Sequence, residues 1–127
     1  MTHNEITGAI IETAIEIHRR LGPGLLESVY HNVMIYELQQ RGLRVDWELP
    51  IPVVWKDIKL EVGFRADLLV QGQVIVELKS IEAIAPVHKK VLLTYLRLAD
   101  KRLGLLINFN VELLKDGVHR VVNGLAE

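Results

Sequence analysis

The stretch Leu103-Gly-Leu-Leu-Ile-Asn-Phe109 constrains the fold of this chain more than any other. It carries one amide and no charge, the pattern of a strand covered on both faces. Upstream, Val74, Val76 and Leu78 alternate with Ile75, Glu77 and Lys79, which predicts a strand over Gln73 to Lys79. Between the two strands lies a helical pattern from Pro86 to about Asp100. Proline suits the first helical position, where no N–H is needed. Val87, Val91, Tyr95 and Leu98 line up with Leu92, Leu96 and Ala99 as its apolar side, and Lys90, Thr94, Arg97 and Lys101 form its polar stripe. Strand, helix and strand in that order predict a right-handed crossover and a parallel pair.

The flanking segments complete an α/β arrangement. Ile6, Ile10, Ala14, Ile17 and Leu21 recur at helical spacing over Glu5 to Arg20, and Thr2 with Glu5 has the form of a capping box. Gly22-Pro23-Gly24 ends this helix. A second helix runs from about Leu25 to Arg41, with Leu26, Val29, Tyr30, Val33, Met34 and Leu38 as its apolar stripe, and the two helices are expected to pack as a corner. Gly42 ends the second helix, and the period then changes to two. Val45, Trp47 and Leu49 open a strand that Pro50 and Pro52 either confine to a sheet edge or bring to an end, since neither can donate to a ladder. Val53 to Trp55, a Lys56-Asp57 turn and Ile58 to Phe64 read as a hairpin. A separate strand is expected over Arg65 to Val70, and a last short one over Val118 to Val122 after an Asp116-Gly117 turn.

The chain has 127 residues, half of them hydrophobic and 24 % charged, without repeats or linkers. One domain over residues 1–127 is therefore expected, with enough apolar mass for its own core. The net charge of −1 excludes a globally basic, nucleic-acid-coating protein and leaves room for a local basic patch. The absence of cysteine excludes disulfides, thiolate nucleophiles and Cys-ligated zinc. Met1 to Ile6 lack the basic and apolar regions of a targeting peptide. No apolar run approaches the roughly 18 residues of a membrane span. A cytoplasmic protein without membrane contact is the expectation.

Glu27, Asp67, Glu77 and Lys79 are the residues with chemical potential. Carboxylates on neighbouring strands can supply the oxygen ligands that Mg²⁺ requires. Lys79, two residues beyond Glu77, shares its strand face and can orient a water or offset charge on a phosphoryl oxygen. The pattern alone is weak, because about one acidic-x-Lys match arises by chance in this composition and Asp57-Ile-Lys59 is another. Position strengthens it: Glu77 and Lys79 follow Val74-Ile75-Val76 in a strand expected at the sheet centre, where charge is costly. One geometric condition decides the matter. A strict two-residue turn at Gln71-Gly72 would put Asp67 and Glu77 on opposite faces, whereas an odd loop or a bulge would set them across from each other.

Gly24-Leu-Leu-Glu27-Ser-Val-Tyr30 resembles the signature of the GxxExxY family, and Asp67 with Glu77-Leu78-Lys79 resembles the core of the PD-(D/E)XK nuclease superfamily. Similarity continues through Pro86-Val-His88, Leu93-Thr-Tyr95-Leu-Arg97 and Leu105-Leu-Ile-Asn-Phe109. The resemblance implies a restriction-endonuclease-like αβββαβ core with a mixed sheet flanked by helices. It also implies Asp67, Glu77 and the Leu78 carbonyl as ligands of Mg²⁺ or Mn²⁺, Lys79 as the catalytic lysine and Glu27 as an accessory carboxylate. Tyr95 matches the tyrosine that RecB-type nucleases carry on the third helix. Val91 departs from the glutamine that they place four residues earlier.

The remaining candidates are bland. His3, His18, His31, His88 and His119 show no metal spacing and read as surface or structural histidines, with His88 set apart because it opens the helix beside the site. Ser28 and Ser80 lack a nucleophile context. Trp47 and Trp55 are expected in the core or an interface. Lys90, Arg97 and Lys101 are candidates for phosphate contacts along a groove. The expected function is a Mg²⁺-dependent nuclease acting on DNA or RNA. The alternative, favoured by Val91 and the slightly acidic charge, is a weak or inactive module that binds nucleic acid or a protein. A homodimer whose second copy completes the groove is the other partner considered.

Overall fold

A computed structural model describes residues 1–125, apart from the side chain of Val62. The elements are α1 (His3–Leu21), α2 (Glu27–Gln40), β1 (Val45–Trp55), β2 (Ile58–Val70), β3 (Val74–Lys79), α3 (Pro86–Ala99), β4 (Leu103–Asn108) and β5 (Val118–Val122), with a 3-10 turn at Leu114–Gly117 before the last. The strands form one sheet in the order β1-β2-β3-β4-β5. Among the described residues the parallel pair is β3 and β4, joined by α3, and the other pairs are antiparallel. The stretch from α2 to β4 is the expected αβββαβ order, with α1 added before it and β5 after it.

Local chemistry sets the helix ends. The Thr2 hydroxyl accepts the Glu5 N–H at 3.1 Å and the Glu5 carboxylate accepts the Thr2 N–H at 2.9 Å, closing the capping box at the start of α1. The helix ends at Gly22, whose φ of +76° suits a residue without Cβ.

Two apolar layers cover the sheet because successive strand residues face opposite sides. Ile6, Ile10, Ala14 and Ile17 of α1 and Tyr30, Met34 and Leu38 of α2 pack on Val74, Val76, Leu78, Leu103, Leu105 and Ile107. On the other side Leu92 and Leu96 of α3 pack on Leu69, Ile75 and Leu106. Gly104 permits this second contact, since a Cβ there would sit 3.0 Å from both Leu92 methyl groups. Every residue of β4 is buried, as its uninterrupted apolar composition requires.

Several expectations are corrected. Arg65 does not begin a new strand: β2 runs unbroken from Ile58 to Val70, because β1 pairs with it along its whole length. Strand β3 begins at Val74, with Gln73 in the preceding turn. Leu26, which precedes α2 as its N-cap, is exposed, as are Val29 of α2 and Val87, Val91 and Leu98 of α3, because each helix buries only the narrow stripe that reaches the sheet. Trp47 and Trp55 are half or more exposed and lie outside both cores. Strand β1 is an edge strand, the first of the two outcomes its prolines allow, and its register slips between Ile51 and Val53 around Pro52. Among the described residues no helix is long and apolar enough to cross a membrane.

Candidate metal and phosphodiester site

The loop between β2 and β3 decides the site. Val70 pairs with Val74, so Gln71, Gly72 and Gln73 form a three-residue loop. Gln71 and Gly72 both take positive φ, 55° and 65°, and the Gln73 N–H closes the turn on the Val70 carbonyl at 3.0 Å. The register continues through Leu69 with Ile75 and Leu68 with Val76, which sets Asp67 opposite Glu77. The odd loop thus satisfies the geometric condition. The two residues are also bonded: the Asp67 N–H donates to Glu77 Oε1 at 3.3 Å, and the Leu78 N–H donates to Asp67 Oδ2 at 2.8 Å.

Glu77 is only 8 % exposed. Burial, and secondly the charge of Asp67, push its carboxyl well above the usual range, to about 8, with Lys79 opposing the shift. Lys79 follows on the same face, and both line a pocket of about 190 Å³ with His88, Val91, Leu92, Tyr95 and Leu106. Burial and the charges of Glu77 and Asp67 raise the Tyr95 hydroxyl. The Tyr95 ring stacks on Phe64 at 3.5 Å between centroids. Leu78 turns its side chain into the α1/α2 core, so only its main chain belongs to this place.

Glu27 arrives from the first turn of α2. Partial burial and then the charge of Asp67 raise its carboxyl, while Lys79 and His31 lower it, so Glu27 shares the electrostatic field of this cluster. The corner that delivers it is latched by Tyr30. The Tyr30 hydroxyl donates to the Gly22 carbonyl at 2.6 Å and accepts the Leu25 N–H at 3.2 Å, and its ring stacks on Phe109 at 4.3 Å. The Ser80 hydroxyl, donating to the Leu25 carbonyl at 2.7 Å, ties the same corner to the end of β3. The Gly24, Glu27 and Tyr30 spacing therefore has a physical sense: turn, carboxylate and latch.

Sequence reasoning missed three contributors. Asn108, the single amide of the β4 run, is buried and grips the loop after β3, accepting the Ile81 N–H at 3.1 Å and donating to the Ile81 carbonyl at 2.9 Å. His31 does not stand alone. Its Nε2 lies 3.2 Å from the Asp67 carbonyl oxygen and 3.6 Å from Glu48 Oε1. Its spacing of four from Glu27, on one helix face, was the available signal. Glu48 gave none, because its place opposite Asp67 follows from the β1/β2 register. His88 lines the pocket, and its Nδ1 accepts the Ala85 N–H at 2.8 Å. His18 bonds the Val111 carbonyl at 2.8 Å as a structural group. Lys90 and Arg97 project from exposed positions of α3, whereas Lys101 lies beyond the helix and is half-buried. None of the three lines the pocket.

The donor set suits a hard dication. Asp67 and Glu77 offer carboxylate oxygens on one face, and their mutual repulsion, visible in Glu77, is what two positive charges would relieve.

A sheet of this order, with an aspartate set across from a glutamate-x-lysine strand, defines a class of metal-dependent phosphodiester-cleaving folds. The family model of the PD-(D/E)XK nuclease superfamily matches residues 4–121, and the chain belongs to this superfamily. Its fold is the restriction-endonuclease-like α/β fold. Neither the curated proteins nor the solved structures yield a match.

Proposed function

We propose that this chain is a divalent-cation-dependent nuclease that hydrolyses phosphodiester bonds in DNA or RNA. The observation that carries the reading is the register that sets Asp67 opposite Glu77 with Lys79 next on the same face. In this reading Asp67, Glu77 and the Leu78 carbonyl hold Mg²⁺ or Mn²⁺. The cation, when bound, draws charge from the phosphate oxygens and makes water more acidic. Lys79 donates to the attacking water and to the oxygen on which charge grows. Glu27, its carboxyl raised by burial and Asp67, supports the metal shell as an accessory carboxylate. Tyr95 lines the same pocket as Glu77 and Lys79, with its ring stacked on Phe64, and completes the catalytic set in this reading. Lys90, Arg97 and Lys101 contact backbone phosphates, which makes affinity fall with salt. The same proposal takes the chain, on its Gly24, Glu27 and Tyr30 pattern, as a member of the GxxExxY family in a cytoplasmic setting.

One observation favours the second reading, a binding module with weak turnover. Val91 lines the pocket beside Glu77, where an isopropyl group stands in place of the amide of RecB-type relatives. The two readings separate in one experiment. The purified chain with Mn²⁺ or Mg²⁺ is expected to cleave a panel of single- and double-stranded DNA and RNA, and Lys79→Ala to abolish cleavage while keeping cation binding. Binding of nucleic acid without cleavage by the wild type would establish the module. Cleavage that persists in Lys79→Ala would refute the assigned chemistry.

A further inference from the structure

We propose that His31, Glu48 and Asp67 form a second cation position, which shares Asp67 with the Asp67/Glu77 pair and selects a transition-metal dication over Mg²⁺. This goes beyond the nuclease reading and does not depend on turnover. One ligand atom from each of the three residues lies within 4.8 Å of the other two. Tetrahedral bonds of about 2.0 to 2.2 Å set ligand atoms about 3.3 to 3.6 Å apart, so His31 Nε2 and Glu48 Oε1, 3.6 Å apart, already fit and the widest spacing needs to close by up to about 1.5 Å. They come from three elements held by the core. His31 stands one turn beyond Glu27 on α2, Glu48 and Asp67 both fall between the Trp47/Leu68 and Leu49/Ala66 pairs of β1 and β2, and Asp67 is pinned by the Leu78 N–H.

The donor chemistry sets the selectivity. An imidazole nitrogen with two carboxylate oxygens suits Mn²⁺, Co²⁺ or Zn²⁺, whereas the all-oxygen pair of Asp67 and Glu77 suits Mg²⁺. In the metal-free chain His31 Nε2 faces two acceptors, the Asp67 carbonyl and Glu48 Oε1. Metal binding replaces that hydrogen bond: the ring proton resides on Nδ1, and the Nε2 lone pair turns to the ion. Glu48 holds a φ of 50° within a strand, a conformation uncommon for a residue with Cβ, in the stretch that brings its carboxylate to His31.

Titration of the metal-free full chain with Co²⁺ and Mn²⁺ tests this. The wild type is expected to bind two Mn²⁺ and to show visible Co²⁺ absorption. His31→Ala and Glu48→Gln should each leave one Mn²⁺ and weaken Co²⁺ binding at least ~10-fold, the loss that removing even an outer-shell partner causes. Glu77→Gln should keep the Co²⁺ spectrum. A hyperfine-shifted, exchangeable imidazole N–H in the proton spectrum of the Co²⁺-loaded wild type supplies a readout that needs no variant. Unchanged Co²⁺ affinity and spectrum in both His31→Ala and Glu48→Gln would overturn the proposal, as would a Co²⁺ spectrum abolished by Glu77→Gln alone or the absence of a shifted imidazole proton. None of these results bears on cleavage and its loss in Lys79→Ala, so the two proposals fail separately.

Discussion

Replacing Glu77 with glutamine is expected to stabilise the metal-free protein while removing a carboxylate from the proposed cation site. The folded chain holds this carboxyl at about 8, against 4.5 ordinarily, chiefly because it is buried and faces Asp67. Between those two values the folded state keeps a proton that the unfolded state has lost, so stability falls as pH rises, by about 1.4 kcal/mol per pH unit. The accumulated penalty at pH 7 is about 3 kcal/mol by the same relation. An uncharged amide escapes it, less the cost of burying its own N–H₂, which leaves a gain of about 1 to 3 kcal/mol. For a domain of this size that raises Tm by roughly 4 to 12 °C. Circular-dichroism melts of the metal-free wild type between pH 5 and 8.5 should show Tm falling as pH rises, with Glu77→Gln much flatter and higher above pH 7. Saturating Mn²⁺ should flatten the wild-type profile, since a bound dication offsets the repulsion, and should leave the variant's melting less affected. A wild-type Tm that is constant from pH 5 to 8, or a variant less stable than wild type at pH 7.5, would refute the electrostatic account of this site.

Four further outcomes follow from particular contacts. Tyr30→Phe keeps the stack on Phe109 and removes both hydrogen bonds to the Gly22 to Leu25 corner. It should cost about 1 to 3 kcal/mol in urea denaturation and lower cleavage more than Mn²⁺ affinity, because it frees Glu27 rather than Asp67. Gly104→Ala drives a methyl group against Leu92 and should cost about 1 to 3 kcal/mol, read as a shift in the denaturation midpoint. Thr2→Ala opens the α1 capping box and should cost about 1 kcal/mol, with cation binding unchanged in calorimetry. Val91→Gln places an amide in the pocket beside Glu77 and Lys79; cleavage under single-turnover conditions should rise, and no change would remove the significance attached to this position.

The elements and their faces were legible because they follow from local periodicity. The alternation of Val74 to Lys79 and the unbroken apolar run after Leu103 were sufficient to place β3 and β4 side by side. The two-residue spacing of Glu77 and Lys79 is enough to put them on one face of a strand. What misled was the assumption that an apolar side chain at the right period is buried: Leu26, Val29 and Val87 fit the period and lie in solvent. A helix stripe reports which way a face points, and burial depends on whether another element reaches it.

Residue order alone settled the crossover, the confinement of the proline-bearing strand to an edge or an early stop and the pairing of glutamate with lysine, each of which depends on neighbours only a few positions away. Folding in three dimensions decided the rest. A loop one residue longer than a tight turn, with Gln71 in a left-handed conformation that no glycine there announces, brought Asp67 across from Glu77. The separate pairing of β1 with β2 carried Glu48 to His31. Such meetings between distant residues depend on register, and a slip of one residue reverses every side chain of a strand.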